Sequence, residues 1–355
     1  MLDDLQLIGK QDRDGILAIL SRFDEQLEEA LEIGLSASLA EGSSPVENVL
    51  VCGLGGSAIG GDFLQAYLGG SLKIPFLVNR GYSIPGFAGP STLVFICSYS
   101  GNTEETLSAF QESQEAGCQV ICSTSGGRLK ELADQHGYPC LRLPGGFPPR
   151  TALGYSSIPL LVALSRLGLV SDRCEEVRQS LPWVRSCIER YGEHSPSQEN
   201  VAKTLALQVH QKIPIVYGSQ GRLEMVAVRW RGQFSENAKQ LAYSSVLPEM
   251  NHNEIVGWRH PAAHFQYLLP VFLRDRDDHP RVQLRAEITA EVLREESGAC
   301  LEYWSDGESW LQRLWALILL GDYASIYLAF LNEEDPTPVE IIESLKQRLK
   351  DHTTG

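Results

Sequence analysis

The sequence predicts an α/β fold in which parallel sheets are flanked by helices. Short apolar runs alternate with helical patterns along the chain, and most of these runs end in a turn rich in glycine or serine. The segments between the runs are long enough for a helix, which parallel strand neighbours require. A chain of 355 residues has room for two such units, since a domain usually takes about 100–200 residues.

The chain divides into three parts. We expect a first domain over residues 1–160, which includes a helical leader at 11–41, and a second domain over 161–335. The helical pattern that follows the first domain breaks at 167–171, which marks the junction between the halves. Residues 336–355 form a final amphipathic helix introduced by two prolines.

Eight apolar runs have the length and composition of buried strands. Five lie in the first half and three in the second, at residues 48–53, 74–78, 92–97, 119–124, 138–143, 213–219, 265–273 and 299–304. A long apolar helix is expected at 310–331. Ligands of parallel sheets bind beyond the carboxyl ends of the strands, so the turns there are the candidate site.

Composition excludes several classes of partner. Hydrophobic residues make up 43% of the chain and charged residues 21%, as in ordinary globular proteins. The net charge of −15 argues against a nucleic acid or an anionic membrane as partner. A small anionic substrate would then need a pocket made locally favourable by a few groups.

The chain carries no sign of secretion or of a metal site. Its acidic start lacks the basic and apolar regions of a signal peptide, and no apolar run reaches the roughly 20 residues of a membrane helix. The eight cysteines are scattered, without the paired spacing of a zinc site. We therefore expect a cytoplasmic protein with reduced thiols and no metal.

The turn after the run at 92–97 is the strongest candidate for binding. It places the hydroxyls of Ser98, Ser100 and Thr103 beside Gly101, between a strand and a helix. Such a turn directs backbone N–H groups at one point and suits a phosphate monoester. The alternative is an ordinary capped helix with Thr103 as the N-cap.

A glycine-rich turn at 53–61 follows the first run and contains Gly56 and Ser57. Its spacing also fits the dinucleotide fingerprint, which requires an acid at the end of the next strand. Here that strand ends in Asn79 and Arg80, so the dinucleotide alternative is incomplete.

Three further residues are candidates for proton chemistry. Glu236 and His252 lie 16 residues apart in polar stretches of the second half, and Arg150 follows two prolines at a stiff corner. A carboxylate and an imidazole can each accept and return a proton near neutral pH. An arginine could stabilise a developing negative oxygen. Alone, each residue could equally be an ordinary surface or hydrogen-bonded side chain.

In combination, the motifs resemble the bifunctional phosphoglucose/phosphomannose isomerase family, and the hydroxyl turn resembles the phosphosugar loop of sugar isomerase (SIS) domains. The resemblance covers nearly the whole chain after the leader. It rests on Gly55-Gly56-Ser57, Ser98-Tyr99-Ser100-Gly101-Asn102-Thr103-Glu104-Glu105, Phe234-Ser235-Glu236-Asn237, Asn251-His252-Asn253-Glu254 and Asp335-Pro336-Thr337-Pro338 with Leu345-Lys346.

The resemblance implies two tandem SIS domains of flavodoxin-like architecture, acting as a homodimer without metal or cofactor. It also implies interconversion of glucose 6-phosphate and mannose 6-phosphate with fructose 6-phosphate through a cis-enediol.

The resemblance assigns roles by position. Gly56, Ser57, Ser98, Ser100 and Thr103 would hold the phosphate. Glu236 matches the base, Arg150 the arginine beside the enediolate, and His252 the ring-opening histidine that reaches the site from the partner subunit. Lys346, on the final helix, matches a lysine that assists ring opening, and Thr337 a threonine linked to handling the mannose epimer.

Two alternatives remain open at this stage. A SIS regulator would bind a phosphosugar without chemistry, and it would need only the hydroxyl turn. An isomerase strict for glucose 6-phosphate would keep the same catalytic groups.

Overall fold

Nine strands form two fully parallel sheets in the computed structural model, which describes residues 2–39 and 45–352. The first sheet has the order β2-β1-β3-β4-β5 and the second the order β7-β6-β8-β9. The strands are β1 (Asn48–Cys52), β2 (Phe76–Asn79), β3 (Thr92–Cys97), β4 (Gln119–Thr124), β5 (Cys140–Arg142), β6 (Ile213–Ser219), β7 (Tyr243–Leu247), β8 (Leu268–Arg274) and β9 (Leu301–Trp304). The predicted fold class is confirmed, and the first sheet has the flavodoxin-like order.

Helices cover the faces of both sheets and connect their strands. They are α1 (Leu5–Gln11), α2 (Ile16–Leu20), α3 (Phe23–Ser36), α4 (Ile59–Leu68), α5 (Glu104–Glu115), α6 (Gly127–His136), α7 (Leu153–Arg166), α8 (Cys174–Tyr191), α9 (Val201–Val209), α10 (Glu224–Ala238), α11 (Glu254–Gly257), α12 (Pro280–Ser297), α13 (Trp310–Leu331) and α14 (Glu340–His352). Residue 160, the predicted domain boundary, lies inside α7. The helical break falls between α7 and α8, where the sequence places the junction.

Two strand predictions need correction. β7 was not predicted, because only Leu247 of its five residues is buried and the strand has no continuous apolar run. The run at 265–273 begins with a 3₁₀ turn (Ala262–Tyr267), and β8 starts at Leu268.

The predicted leader at 11–41 contains two helices, α2 and α3, instead of one, and α1 precedes it and ends at Gln11. α3 packs against α7 and α8, and the ring of Phe23 meets that of Trp315 on α13 edge-on, with centroids 5.3 Å apart. The leader therefore contacts both halves of the chain, not only the first domain as expected. Residues 40 and 41 of the predicted leader lie outside the described residues.

Helix α13 is the central helix of the second half. It is 22 residues long, and its most apolar window of 18 residues has a mean hydropathy of 1.8, so the expectation that no apolar run reaches membrane length is wrong. However, 94% of its apolar window is buried inside the protein, where it packs against α8, α9 and α10. Gly321 permits a close approach to α10, since a Cβ there would lie 2.2 Å from Nε1 of Trp230. This burial makes α13 a core helix.

Candidate active site

The turns after β1 and β3 meet at the carboxyl edge of the first sheet. The Oγ of Ser57 accepts a hydrogen bond from the backbone N–H of Tyr99 at 3.0 Å, which leaves the Ser57 hydroxyl hydrogen for another acceptor. Gly56 lies against a third turn, the 3₁₀ turn at Pro149–Thr151 after β5, where a Cβ would come within 2.4 Å of the Pro149 carbonyl oxygen. Glycine is therefore required at position 56, and the three turns converge.

Within the β3 turn, the hydroxyls bind each other and do not cap the helix that follows. Thr103 is at the N-cap of α5, but its side chain makes no capping hydrogen bond. Its Oγ1 lies 2.9 Å from Oγ of Ser98, and Ser100 is exposed. Gly101 has φ +71°, and a Cβ there would lie 1.8 Å from the Gly126 carbonyl oxygen. The turn is thus an uncharged, tightly folded group of donors, and the capped-helix alternative does not describe Thr103.

Arg150 is buried beside these turns and held in one orientation. Its Nε donates to Oδ1 of Asn237 at 2.5 Å, and its Nη2 donates to the carbonyl oxygens of Pro336 at 2.7 Å and Thr337 at 2.8 Å. These bonds use one hydrogen on Nε and both on Nη2, so the two on Nη1 remain. Burial lowers the pKa of Arg150, and the nearby Glu236 opposes that shift. A guanidinium stays protonated in proteins, so the group is a fixed cation.

Glu236 lies opposite the free nitrogen of Arg150. Its Oε2 is 3.6 Å from Arg150 Nη1, and its side chain is 34% exposed. It opens into a cavity of about 450 Å³ whose lining also includes Arg13, Lys239, Ile341 and Ile342. A half-exposed carboxylate beside an oriented cation can exchange a proton with a bound substrate while the cation stabilises negative charge.

A buried network between α10 and α13 fixes the helix that carries Glu236. Arg229 binds both carboxylate oxygens of Asp322, at 2.9 and 2.7 Å, and Gln233 donates to the same carboxylate at 2.8 Å. One turn further on, Asn237 donates to Oγ of Ser325 at 2.8 Å. The sequence analysis assigns no role to these residues, although positions 229, 233 and 237 recur every four residues and so share one helix face.

Of the other predicted residues, some lie near Arg150 and Glu236 and others do not. Thr337 is next to Arg150 through its carbonyl, while its Oγ1 is buried without a hydrogen-bond partner. His252 is exposed on a 3₁₀ turn after β7, and Lys346 is exposed on α14. Neither side chain makes a hydrogen bond or an ion pair with a described residue. The structure thus brings Gly56, Ser57, Ser98, Thr103, Arg150, Glu236 and Thr337 into one region, with Ser100 on the same turn, and leaves His252 and Lys346 apart.

Among the described residues, neither a dinucleotide site nor a metal site has its usual groups. The residue after β2 is Arg80, which forms an ion pair with Asp62 where the dinucleotide fingerprint requires a free acid. Across residues 2–39 and 45–352, no group of three or more His, Cys, Asp or Glu side chains is placed to hold a metal ion.

Comparisons with known proteins concern the family and the fold of the chain. Residues 198–349 match the family model described as "Bacterial phospho-glucose isomerase C-terminal SIS domain". A solved structure of a hypothetical protein from Thermus thermophilus superposes with a TM-score of 0.77 at 18% identity, over 99% of this chain and 94% of that one. At that identity, the likeness concerns the fold.

Curated relatives are more similar in sequence. A bifunctional phosphoglucose/phosphomannose isomerase from Caldicellulosiruptor bescii is 42% identical, over 92% of this chain and 96% of the relative. One from Aquifex aeolicus is 38% identical, over 88% of this chain and 94% of the relative. The predicted family is therefore confirmed: the chain belongs to the bifunctional phosphoglucose/phosphomannose isomerase family.

Proposed function

We propose that this protein interconverts glucose 6-phosphate and mannose 6-phosphate with fructose 6-phosphate. The observation that carries the proposal is the approach of Arg150 Nη1 to within 3.6 Å of Glu236 Oε2, beside the hydroxyl turns of the first sheet. The reaction moves a proton between C1 and C2 and returns it on the other carbon. One base and one cation beside the enediol oxygens are the groups that this step needs.

The phosphate would bind at the carboxyl edge of the first sheet. Gly56 and Ser57 supply one turn, and Ser98, Ser100 and Thr103 supply the other. Hydroxyl and backbone donors can hold a phosphate dianion without a charged side chain, and the far end of the sugar then extends toward Arg150 and Glu236. Binding energy from the phosphate would orient C1 and C2 for proton transfer.

Glu236 would act as the base and Arg150 would stabilise the enediolate oxygen. General acid–base groups contribute about 10²–10⁴-fold to rate. Since the step transfers a proton and changes no net oxidation state of the sugar, we infer that no redox cofactor takes part, and we expect activity to persist in the presence of a chelator.

A second copy of the chain would complete the site. We infer that the protein is a homodimer in which the partner's His252 opens the sugar ring, with Lys346 and Thr337 assisting from the final segment. Two features support this inference. His252 is exposed and its side chain pairs with none of residues 2–39 and 45–352, and α14 has no buried residue although Ile341 and Leu345 are 87% and 57% exposed. We also propose two domains, 1–160 and 161–335, a C-terminal part over 336–355 whose helix α14 contributes to the active site, and a cytoplasmic location.

The decisive experiment measures formation of fructose 6-phosphate from mannose 6-phosphate and from glucose 6-phosphate, side by side, with a chelator present. Activity on both supports the proposal. Activity on glucose 6-phosphate alone keeps the catalytic roles and narrows the substrate range. Binding of both sugars without turnover would instead make the protein a SIS regulator.

The shared site has its own test. Inactive Glu236→Gln and His252→Ala proteins, mixed under conditions of subunit exchange, should regain part of the wild-type activity, because one of the two sites in a mixed dimer would hold both native residues. Light scattering checks the dimer, and a labelled subunit checks exchange. Proven exchange without any recovery would place His252 in the site of its own chain or outside it.

A further inference from the structure

Lys239 ends the helix that carries Glu236, in a backbone conformation that lysine rarely adopts. It lies three residues beyond Glu236 at φ +53°, in the left-handed region usually taken by glycine or asparagine. Its backbone N–H closes the helix by donating to the Phe234 carbonyl. A glycine would serve this helix end better, so a lysine here suggests a role for the side chain.

The Lys239 side chain binds the segment that leads to α14. Its Nζ donates to the Asp335 carbonyl at 2.5 Å and to the Asn237 carbonyl at 3.2 Å. The side chain also lines the cavity into which Glu236 opens. Partial burial and the neighbouring Arg150 lower the pKa of Lys239, while Glu334 and Asp335 act in the opposite direction.

Two cations therefore hold three consecutive carbonyl groups. Lys239 binds the carbonyl of Asp335, and Arg150 binds those of Pro336 and Thr337. Prolines at 336 and 338 remove two backbone N–H groups from this stretch. Of the two that remain in residues 335–338, the N–H of Thr337 donates to Oδ1 of Asp335 at 2.9 Å. Segment 335–337 is thus attached to the site mainly through its carbonyl oxygens.

We propose that Lys239 is a positioning residue that fixes segment 335–337 over Arg150. With Asp335 held, the next two carbonyls occupy both hydrogens of Arg150 Nη2, and Nη1 is left directed toward Glu236 and the substrate. Without Lys239 the segment loses its first attachment, and the guanidinium loses a rigid pair of acceptors. The inference rests on the proposed function, since it concerns the arginine assigned to the enediolate.

The test compares Lys239→Met, Lys239→Arg and Lys239→Gly with the wild-type protein. Lys239→Met should lower kcat about tenfold to a hundredfold and change KM less than about threefold, because the phosphate-binding turns lie on the first sheet. Lys239→Arg should restore part of kcat. Lys239→Gly removes the backbone strain together with the side chain, so it should match Lys239→Met in kcat and exceed it in thermal stability.

Lys212→Met is the matched control. The Lys212 ammonium also donates to a backbone carbonyl, that of Gln266 at 2.6 Å, but does not line the Glu236 cavity. The Lys212→Met substitution should leave kcat within about twofold of the wild-type value. A Lys239→Met protein with unchanged kcat, or with only a raised KM, would overturn the positioning role. A Lys239→Gly protein with wild-type kcat would likewise overturn it.

Hydrogen exchange provides a readout that needs no turnover. Peptides covering residues 333–342 should exchange faster in Lys239→Met than in wild type or Lys212→Met, because segment 335–337 has lost an attachment. Unchanged exchange there would overturn the proposal. Wild-type protein that turns over neither hexose 6-phosphate would refute the proposed function, and the exchange experiment would still decide whether Lys239 fixes the segment.

Discussion

The carboxyl edges of the two sheets have a similar backbone arrangement but carry different kinds of side chain. In the first sheet, the residue after β3 is Ser98, and four residues beyond Gly53 of the β1 turn lies Ser57. In the second sheet, the residue after β8 is Asp275, and four residues beyond Gly218, near the end of β6, lies Arg222. Uncharged hydroxyls occupy one edge, and an arginine with a carboxylate occupies the other.

The charged groups of the second edge bind one another. Arg222 donates to Oδ1 of Asp275 at 2.7 Å, and Arg313 donates to Oδ2 of the same carboxylate at 2.7 Å. The Arg222 guanidinium also lies 4.0 Å from the ring centroid of Trp310. Asp275 is fully buried. The charged groups of this edge are therefore paired with one another, and a phosphate would meet a buried carboxylate.

The difference shows how two similar sheets can have different roles in one protein. The first sheet keeps unpaired donors at its carboxyl edge and is suited to an anion. The second uses the same edge for structural ion pairs, and in the proposed mechanism it contributes the base, Glu236, through the opposite end of α10. This helix begins at Glu224, near the carboxyl edge of the second sheet, and reaches Glu236 within its last turn.

The largest expected effect separates the two ends of α10. Glu236→Gln should lower kcat by about 10²–10⁴-fold and leave phosphosugar affinity nearly unchanged, because the amide cannot accept the substrate proton while the first edge is intact. Steady-state kinetics and equilibrium binding measure the two quantities. Glu224→Gln, at the other end of the helix, is the control, and its kcat should stay within about twofold of the wild-type value. Normal turnover of the Glu236→Gln protein would refute the base assignment.

The next effect tests the second edge for a structural role. Asp275→Asn should lower the free energy of unfolding by about 3 kcal/mol, because it removes the charge of the fully buried carboxylate that both arginines bind. KM should not change. Asp277→Asn removes an exposed partner of the same Arg313 and should cost at most about 1 kcal/mol. Denaturant unfolding measures both, and similar losses for the two variants would contradict the comparison.

The sequence was most informative where the signal is local. β3 and β6 were predicted at their observed residues, because interior strands of parallel sheets are continuous apolar runs. β7 was missed, since it lies at a sheet edge with Tyr243 55% exposed. Leader helices and helix ends differ from the prediction by several residues for a similar reason: packing against distant helices, not local pattern, sets them.

Site residues also divide into those with a local sequence signal and those without one. Hydroxyls and glycines cluster within a few positions of Ser98, so the turn could be identified from the sequence. Lys239 could not, because its contact with Asp335 joins residues 96 positions apart through a backbone carbonyl, which leaves no side-chain pattern. The roles of His252 and Lys346 came only from the family resemblance, and they stay predictions until the dimer is tested.

A smaller effect, on KM, should distinguish the hydroxyls of the first edge from a hydroxyl of the second. Ser100→Ala combined with Thr103→Ala should raise KM about tenfold to a hundredfold with a smaller change in kcat, because hydrogen bonds to a charged phosphate are lost. Ser219→Ala is the matched control on the second edge, where the hydroxyl already donates to Oδ1 of Asp278 at 2.6 Å. It should leave KM unchanged. An unaltered KM in the double variant would place the phosphate elsewhere.

The smallest effect is the pH dependence of the second edge. Burial alone would raise the pKa of Asp275, but hydrogen bonds from Arg313 and Ser305 outweigh it and lower the pKa. A carboxyl with a lowered folded-state pKa contributes stability above its unfolded pKa of about 3.9 and loses it as the pH falls through the folded value. The stability difference between wild type and Asp275→Asn should therefore be largest near neutral pH and narrow in acid.

Asp278, in the same cluster, should show the opposite trend. Burial raises its pKa despite the hydrogen bond from Ser219, so ionisation of Asp278 weakens the folded state as the pH rises above about 3.9. Unfolding measured from about pH 2.5 to 7 should show the advantage of wild type over Asp278→Asn shrinking with rising pH. The advantage over Asp275→Asn should grow across the same range. Parallel trends for the two variants would mean that the cluster titrates as one unit, and that Asp275 is not the carboxylate that the two arginines hold ionised.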